Sequence, residues 1–508
     1  MEFISQVVNQ IFSFHTILLI IFGCLFGIIL GAVPGLNGGI GVSLMLPFTF
    51  GMMPINGLLL LGGIYMGGTY GGSISAILLN VPGSAEAFCT GLEGNPLAKK
   101  GRGREALYLA ALSSVTGGVI GVGALVFFAP PLAKAALKFG PPEMFLVALM
   151  GLTVVGSLTG KNIFKGFFAA VFGIYLGMIG IDNVSGAYRL NFGFPGMNMG
   201  IQLIPVLLGL FSIAEMMMQI ETMVKNKKSG MGKQNEIGTL GEIKALTVFK
   251  KILAKPALVI KSSLIGTIIG ILPGTGSAIA SFVAYGEAKR SAKEEEEKFG
   301  HGNPKGIIAA ESSNNAAVGG ALVPMLSLGI PGSPTAAVMY GAMVIHGLAA
   351  GPRLFIDNAL FSYSFVYGMM MTVVIMGIVG VFCVPFFSKI LKVEMKYIIP
   401  VVIICSLIGS FSIRNSIFDV IVTIVFGFIG LLFNRSQIPT APIVLGLILS
   451  QLIESNFRLS MTIAGATETP VMQYILTRPL SIIIILIGLF LIYANFKSMK
   501  IESKTLKN

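Results

Sequence analysis

The chain has 508 residues, 54% of them hydrophobic and only 11% charged, with a mean hydropathy of +0.86. Soluble domains carry about 25% charged residues, so the composition excludes a soluble globular protein and reads as an integral membrane protein. The net charge of +13 does not call for a nucleic-acid partner, because the basic residues cluster in loops between apolar stretches, as the positive-inside tendency predicts.

Residues 14 to 33 form the first apolar run of about 20 residues, the length of a membrane-spanning helix. No basic region precedes it and no small-residue cleavage site follows, so it reads as a retained helix and not a signal peptide. Runs at 105 to 129, 360 to 384 and 478 to 495 reach the same length, and about twelve spans are expected in all. Four cysteines (Cys24, Cys89, Cys383, Cys405) lie in or beside apolar segments without C-x-x-C spacing, which favours packing over a metal site or a disulfide framework. The basic stretch Lys225 to Lys261 holds nine Lys against Glu236 and Glu242 and reads as a cytoplasmic linker. The expected division is a first transmembrane repeat over 1–223, the linker over 224–257, a second repeat over 258–454, and a C-terminal span with a basic tail over 455–508.

Glycine, 65 of the 508 residues, marks an internal repeat. In the first half "GAVPGLNGGIG" (31–41) is followed by "YGGSISAILLNVPGS" (70–84); in the second "GILPGTGSAIA" (270–280) is followed by "VGGALVPMLSLGIPGS" (318–333). The second pair is spaced ten residues wider, which fits the hydrophilic insert "EAKRSAKEEEEKFGHGNPK" (287–305), whose "KEEEEK" core reads as a solvated segment. Basic "KKGRGR" (99–104) comes after the second break of its half, whereas the insert comes before the second break of its own. If both loops are cytoplasmic, the chain runs through equivalent segments in opposite directions. The fold class expected is an all-α polytopic membrane protein with broken or re-entrant helices in two inverted-topology repeats; an elevator-type movement is an analogy only.

Irregular backbone is tolerated within hydrocarbon only where protein or a water-filled cavity satisfies its polar groups, and paired breaks in two halves point to a transporter binding site. Proline removes a backbone donor, glycine accepts the turn, and a following serine caps the next helix. In "PGSP", Ser333 as cap with Pro334 at the first helical position is an explicit start signal, and a new helix N-terminus presents N–H groups and a positive dipole end to an anion. The substrate candidates are therefore Asn80, Gly83, Ser84, Gly332, Ser333 and Thr335. Asn side chains and freed carbonyls are hard oxygen ligands for a small cation, so the ion candidates are Gly35, Asn37, Gly274, Thr275, Ser277, Ser313, Asn314 and Asn315, with Na⁺ placed at Asn314 and Asn315 in "AAESSNNAAVGG" (309–320).

The motifs "YGGSISAILLNVPGS", "GNPLAKKGRGREAL", "GILPGTGS", "AAESSNNAAVGGALVPMLSLGIPGS" and "GAMVIHGLAAGPRLF" together resemble the large membrane subunit of the tripartite tricarboxylate transporters, the TctA family, over roughly residues 20 to 440. The resemblance implies a secondary transporter of the bacterial inner membrane, working with a small TctB-like membrane subunit and a periplasmic or lipid-anchored TctC-like solute-binding protein. Uptake would be driven by a Na⁺ or H⁺ gradient, with no other cofactor. Near "GLEGNPLAKKG" the family usually has Asp-Gly-Tyr where Glu93 and Asn95 stand, which bears on the substrate more than on the family.

Rival readings are weaker. "GSLTGKN" (156–162) is one residue short of a phosphate loop and ends in Asn162, which argues against an ATP-driven pump. An intramembrane hydrolase would need a serine such as Ser73 with one of His15, His301 and His346; His15 opens the first span and His301 lies in the charged insert, and no acid lies near His346 in sequence to orient it. A channel fits duplicated breaks less well than alternating access, and a stand-alone ion-coupled organic-anion carrier is the remaining alternative.

Overall fold

The computed structural model describes residues 2–158, 163–182, 185–228, 241–273, 276–292, 297–387 and 395–490. Gly274 and Thr275, most of "KEEEEK", the last four residues of "GSLTGKN", the middle of the linker and the basic tail beyond 490 lie outside the described residues. The first half comprises α1 (Glu2–Ile11), α2 (Phe14–Ala32), α3 (Gly38–Met45), α4 (Pro54–Leu79), α5 (Phe88–Leu97), α6 (Gly103–Ala136), α7 (Pro141–Leu158), α8 (Ile163–Gly177), α9 (Leu203–Leu207) and α10 (Ala214–Lys228). The second begins with α11 (Ala245–Leu253), α12 (Pro256–Ile271), α13 (Gly276–Arg290), α14 (Pro304–Leu328), α15 (Pro334–Ile345), α16 (Leu354–Asp357) and α17 (Ala359–Cys383), and continues in helices Met395–Arg414, Ile417–Arg435 and Ala441–Ala466. The sheet among the described residues is a two-residue pairing of Gly180–Ile181 with Tyr188–Arg189, so the chain is all-α. The boundaries expected after 223 and after 454 fall inside α10 and inside Ala441–Ala466.

Seven helices among the described residues are long and apolar enough to cross a membrane, or eight if α11 and α12, bent by 82°, count as one span. This is fewer than the twelve expected, and two of the missing spans have a physical explanation. At 26 and 25 residues, α4 and α14 run about 38 Å at 1.5 Å per residue, enough to span the hydrocarbon. They are nevertheless rich in glycine and polar side chains, and they are buried without interruption from Ile55 to Leu78 and from Gly306 to Ser327. A helix enclosed by other helices meets protein and not lipid, so its burial does not require high hydropathy.

Close backbone approach holds these two helices in place. An added Cβ on Gly27 would lie 2.5 Å from the Ile64 carbonyl oxygen, and on Gly31 2.4 Å from that of Gly68, so α2 presses directly on α4. On α12, a Cβ on Gly266 would meet the Ser313 oxygen at 2.1 Å and one on Gly270 the Ala317 oxygen at 2.4 Å. Small residues at such crossings let helix axes approach and compensate in packing for the weak hydrophobic driving force within lipid. Glycines of α6 pack on a second side of α14, with Gly117 against Ser312 and Gly121 against Ala316. Two faces of α14 are thus occupied, and Glu311, Asn314, Asn315 and Val318 fall by 3.6-residue periodicity on the remaining one, from which Glu311 reaches Ser73 of α4, Thr90 of α5 and Ser114 of α6.

Candidate functional site

The Pro-Gly pairs at 34–35, 82–83 and 331–332 lie where one helix has stopped and the next has not begun, and Pro273 likewise follows the end of α12. At the first, the Val33 N–H returns to Leu30 O at 3.0 Å, Gly35 takes φ +85°, and the Asn37 side chain accepts Ile40 N–H at 3.0 Å to start α3. At the third, Leu272 N–H returns to Ile269 O at 3.0 Å before α13 begins at Gly276. The second and fourth share a finer geometry. Asn80 and Gly329 take left-handed φ of 57° and 75°; Gly83 N–H then bonds Gly72 O at 3.1 Å, and Gly332 N–H bonds Ala321 O at 3.2 Å. Ser84 and Ser333 follow in the same extended conformation, φ −145° and −146° with ψ 163° in both. An added Cβ would lie 2.3 Å from Gly31 O at Gly83 and 2.4 Å from Gly270 O at Gly332, so only glycine fits either place.

The hydroxyls then part company. Ser333 accepts Ala336 N–H at 3.1 Å with Pro334 at the first helical position, as a capping signal should, and also pairs with the Tyr65 hydroxyl at 2.6 Å. Ser84 caps nothing: a 3₁₀ turn (Ala85–Ala87) follows it, and its buried Oγ has no hydrogen-bond partner.

Around Ser333 lies a cavity of about 430 Å³, lined among others by Asn37, Tyr65, Glu86, Glu215, Ser277 and Thr335. The N-termini of α3, α13 and α15 all reach it, each presenting the positive end of its dipole. No Lys or Arg lines it among the described residues. An anionic solute would therefore meet helix ends, hydroxyls and an amide, while Glu86 and Glu215 would repel a bare polyanion unless a cation accompanied it. Gly35 stands at the edge of this region against Gln219, whose amide donates to Glu215 at 2.8 Å.

A second polar cluster lies inside α14. Glu311, Ser312, Ser313, Asn314 and Asn315 are fully buried in the middle of one continuous helix, so their carbonyls stay within it and only side chains are free to act as ligands. Glu311 accepts hydrogen bonds from three hydroxyls on three helices: Ser73 of α4, Thr90 of α5 at 2.5 Å and Ser114 of α6 at 2.6 Å. All four amide atoms of Asn314 and Asn315 lack hydrogen-bond partners. Ser313, also expected to hold the ion, donates to Ala310 O at 2.9 Å, within its own helix.

The structure thus gathers Asn37, Ser277, Ser333 and Thr335 at one cavity. It leaves Asn314 and Asn315 outside that lining, Gly83 and Gly332 in backbone packing, and Asn80 exposed at the end of α4. Tyr65, Glu86, Glu215, Thr90 and Ser114 were not anticipated as site residues. Glu86 sits two residues beyond a flagged serine and was legible; Tyr65 and Ser114 carried no local signal. Ser73, weighed as a nucleophile, donates to Glu311, and no hydrogen bond joins it to a histidine among the described residues. No group of three or more His, Cys, Asp or Glu able to hold a metal occurs there either.

An all-α polytopic membrane protein with broken helices around a polar, solute-sized cavity is the class this fold and site define. The chain matches the profile of the tripartite tricarboxylate transporter TctA family over residues 17–445, and it belongs to that family. It is similar to an "Uncharacterized 52.8 kDa protein in TAR-I ttuC' 3'region" of Agrobacterium vitis, 33% identical over 467 residues, 92% of this chain and 90% of that protein. It is also similar to an "Uncharacterized protein in TAR-II ttuC' 3'region" of the same organism, 33% identical over 204 residues, 40% of this chain and 84% of the other. No solved structure matches it. The chain is accordingly a multi-pass membrane component of the tricarboxylate-transporter type.

Proposed function

We propose that the chain is the permease subunit of a binding-protein-dependent, ion-gradient-driven uptake system for carboxylate solutes in the bacterial inner membrane, with a small membrane subunit and an external solute-binding protein as partners. The observation that carries this reading is the cavity at the N-termini of α3, α13 and α15, which offers a carboxylate helix dipoles and hydroxyls in place of a buried Arg. Two inverted-topology repeats fit the matched breaks. They also fit the meeting of the basic stretches on one side: Lys100 pairs with Glu297 and donates to His301 O at 2.7 Å, and Lys251 of α11 pairs with Glu105 at 2.7 Å.

Na⁺ is the coupling ion of this reading and H⁺ the alternative. The test is uptake in proteoliposomes. With the small subunit and liganded binding protein present, uptake should follow an imposed Na⁺ gradient without ATP, collapse with a sodium ionophore, and be small for this chain alone at micromolar solute. High-affinity transport by the isolated chain would leave the stand-alone carrier as the better reading. Ionophore-insensitive uptake would remove the ion coupling.

A further inference from the structure

We propose that the carboxylate of Glu311 and the side-chain oxygens of Asn314 and Asn315 hold one monovalent alkali cation, such as Na⁺, at a site separate from the solute cavity. Positions 311, 314 and 315 follow i, i+3, i+4 spacing and share one face of α14. The other two faces are filled by glycine crossings with α6 and α12, so this face is the one left for a ligand.

The donor count is incomplete. An ionised carboxylate accepts at about four lone-pair positions; Oε1 of Glu311 takes Ser73 and Thr90, Oε2 takes Ser114, and one position on Oε2 remains. No Lys, Arg or His is bonded to it among the described residues, and a buried, unpaired charge is costly. Beside it, the two orphaned amides of Asn314 and Asn315 are fully buried, whereas buried polar groups ordinarily have partners. A cation at this face would balance the charge and use both amide oxygens, leaving the amide NH₂ groups to water. One negative charge with neutral oxygens matches a monovalent ion, and hard oxygen donors match an alkali cation such as Na⁺.

The packing also gives one site instead of a symmetric pair. Gly83 and Gly332 pack equivalently and stand 249 residues apart (332 − 83), and the same displacement carries Glu311, Asn314 and Asn315 onto Gly62, Tyr65 and Met66 of α4. None of those three supplies a carboxylate or an amide. Tyr65 instead meets Ser333 at the solute cavity. Because α4 carries both Tyr65 and, eight residues or about 12 Å along, Ser73, one rigid helix touches both sites. Only this transport consequence rests on the ion-driven reading above; binding does not.

The experiment is thermal unfolding of the purified full chain in detergent, titrated with NaCl at constant ionic strength against choline chloride, with KCl and LiCl arms. Wild type should show saturable stabilisation by Na⁺ that choline chloride does not give. Glu311→Gln should unfold at wild-type temperature without Na⁺ and weaken the Na⁺ midpoint by at least about tenfold; Asn314→Ala and Asn315→Ala should each weaken it by about tenfold or more, the scale on which even supporting groups act at metal sites. Equal responses to NaCl and choline chloride, or a wild-type Na⁺ midpoint in Glu311→Gln, would overturn the site. Should Glu311→Gln not fold, equilibrium binding of radioactive sodium to wild type, Asn314→Ala and Asn315→Ala decides on the same criteria. Saturable Na⁺ binding without Na⁺-driven uptake would keep this site and remove the coupling reading. Na⁺-driven uptake with an unchanged midpoint in all three variants would do the reverse.

Discussion

α4 and α14 are the same helix in packing and different helices in chemistry. Each is crossed by a glycine-bearing neighbour, α2 or α12, and each ends in a left-handed residue, Asn80 or Gly329. A glycine then turns back onto the helix just left, and an extended serine follows. Where α14 places Glu311, Asn314 and Asn315, α4 places Gly62, Tyr65 and Met66. The comparison teaches that backbone architecture and ligand chemistry are specified separately: the first by residues too small to act as ligands, the second by side chains the architecture does not require.

The hardest test of the shared architecture is Gly332→Ala beside Gly83→Ala. Each adds a Cβ within 2.4 Å of a carbonyl oxygen, and overpacking of this kind costs about 1 to 3 kcal/mol or more. Both variants should unfold at clearly lower temperature and lose uptake in cells carrying the complete system. If one alone is tolerated, the two breaks are not equivalent in the folded protein.

Chemical divergence is probed next by Asn314→Ala and Asn315→Ala. Neither side chain has a hydrogen bond to lose, and removing unpaired buried polar atoms opposes the cost of the cavity left by truncation, so both variants should still fold without sodium, while uptake falls to background at normal membrane abundance. Near-normal uptake in both would show that α14's polar face is not used in transport.

Smaller effects separate the two serines. Ser333→Ala should cost about 0.5 to 2 kcal/mol, the worth of a helix cap, and Tyr65→Phe about 0.5 to 1.5 kcal/mol for the hydrogen bond between them, with a raised KM for solute if the cavity is the binding site. Ser84→Ala removes no cap and no bond, and its thermal midpoint should move least. A cost at Ser84 equal to that at Ser333 would mean that the first break is capped in a conformation other than this one.

Much of this was legible along the chain because the rules involved are local. Proline cannot donate, glycine alone tolerates contact within 2.4 Å, and a serine before proline starts a helix; these act over a few residues, so the four breaks and the cap at Ser333 stand where the letters put them. "AAESSNNAAVGG" was legible as polar and unusual, but not as the middle of a buried helix, because helix and loop readings differ there only in what surrounds the segment. The same reason explains two of the missing apolar spans: hydropathy measures fitness for lipid, and α4 and α14 are enclosed by other helices.

By itself the sequence determined the membrane class, the all-α character, the duplicated breaks and, through its ordered motifs, the family. The tertiary structure decided which residues share a site. Ser73 and Glu311 are 238 positions apart (311 − 73), Tyr65 and Ser333 268 apart (333 − 65). Each pair meets because glycine crossings bring helices from opposite halves within side-chain reach. Packing of that kind is a property of many weak contacts summed over the whole bundle, and no short stretch of one chain records it.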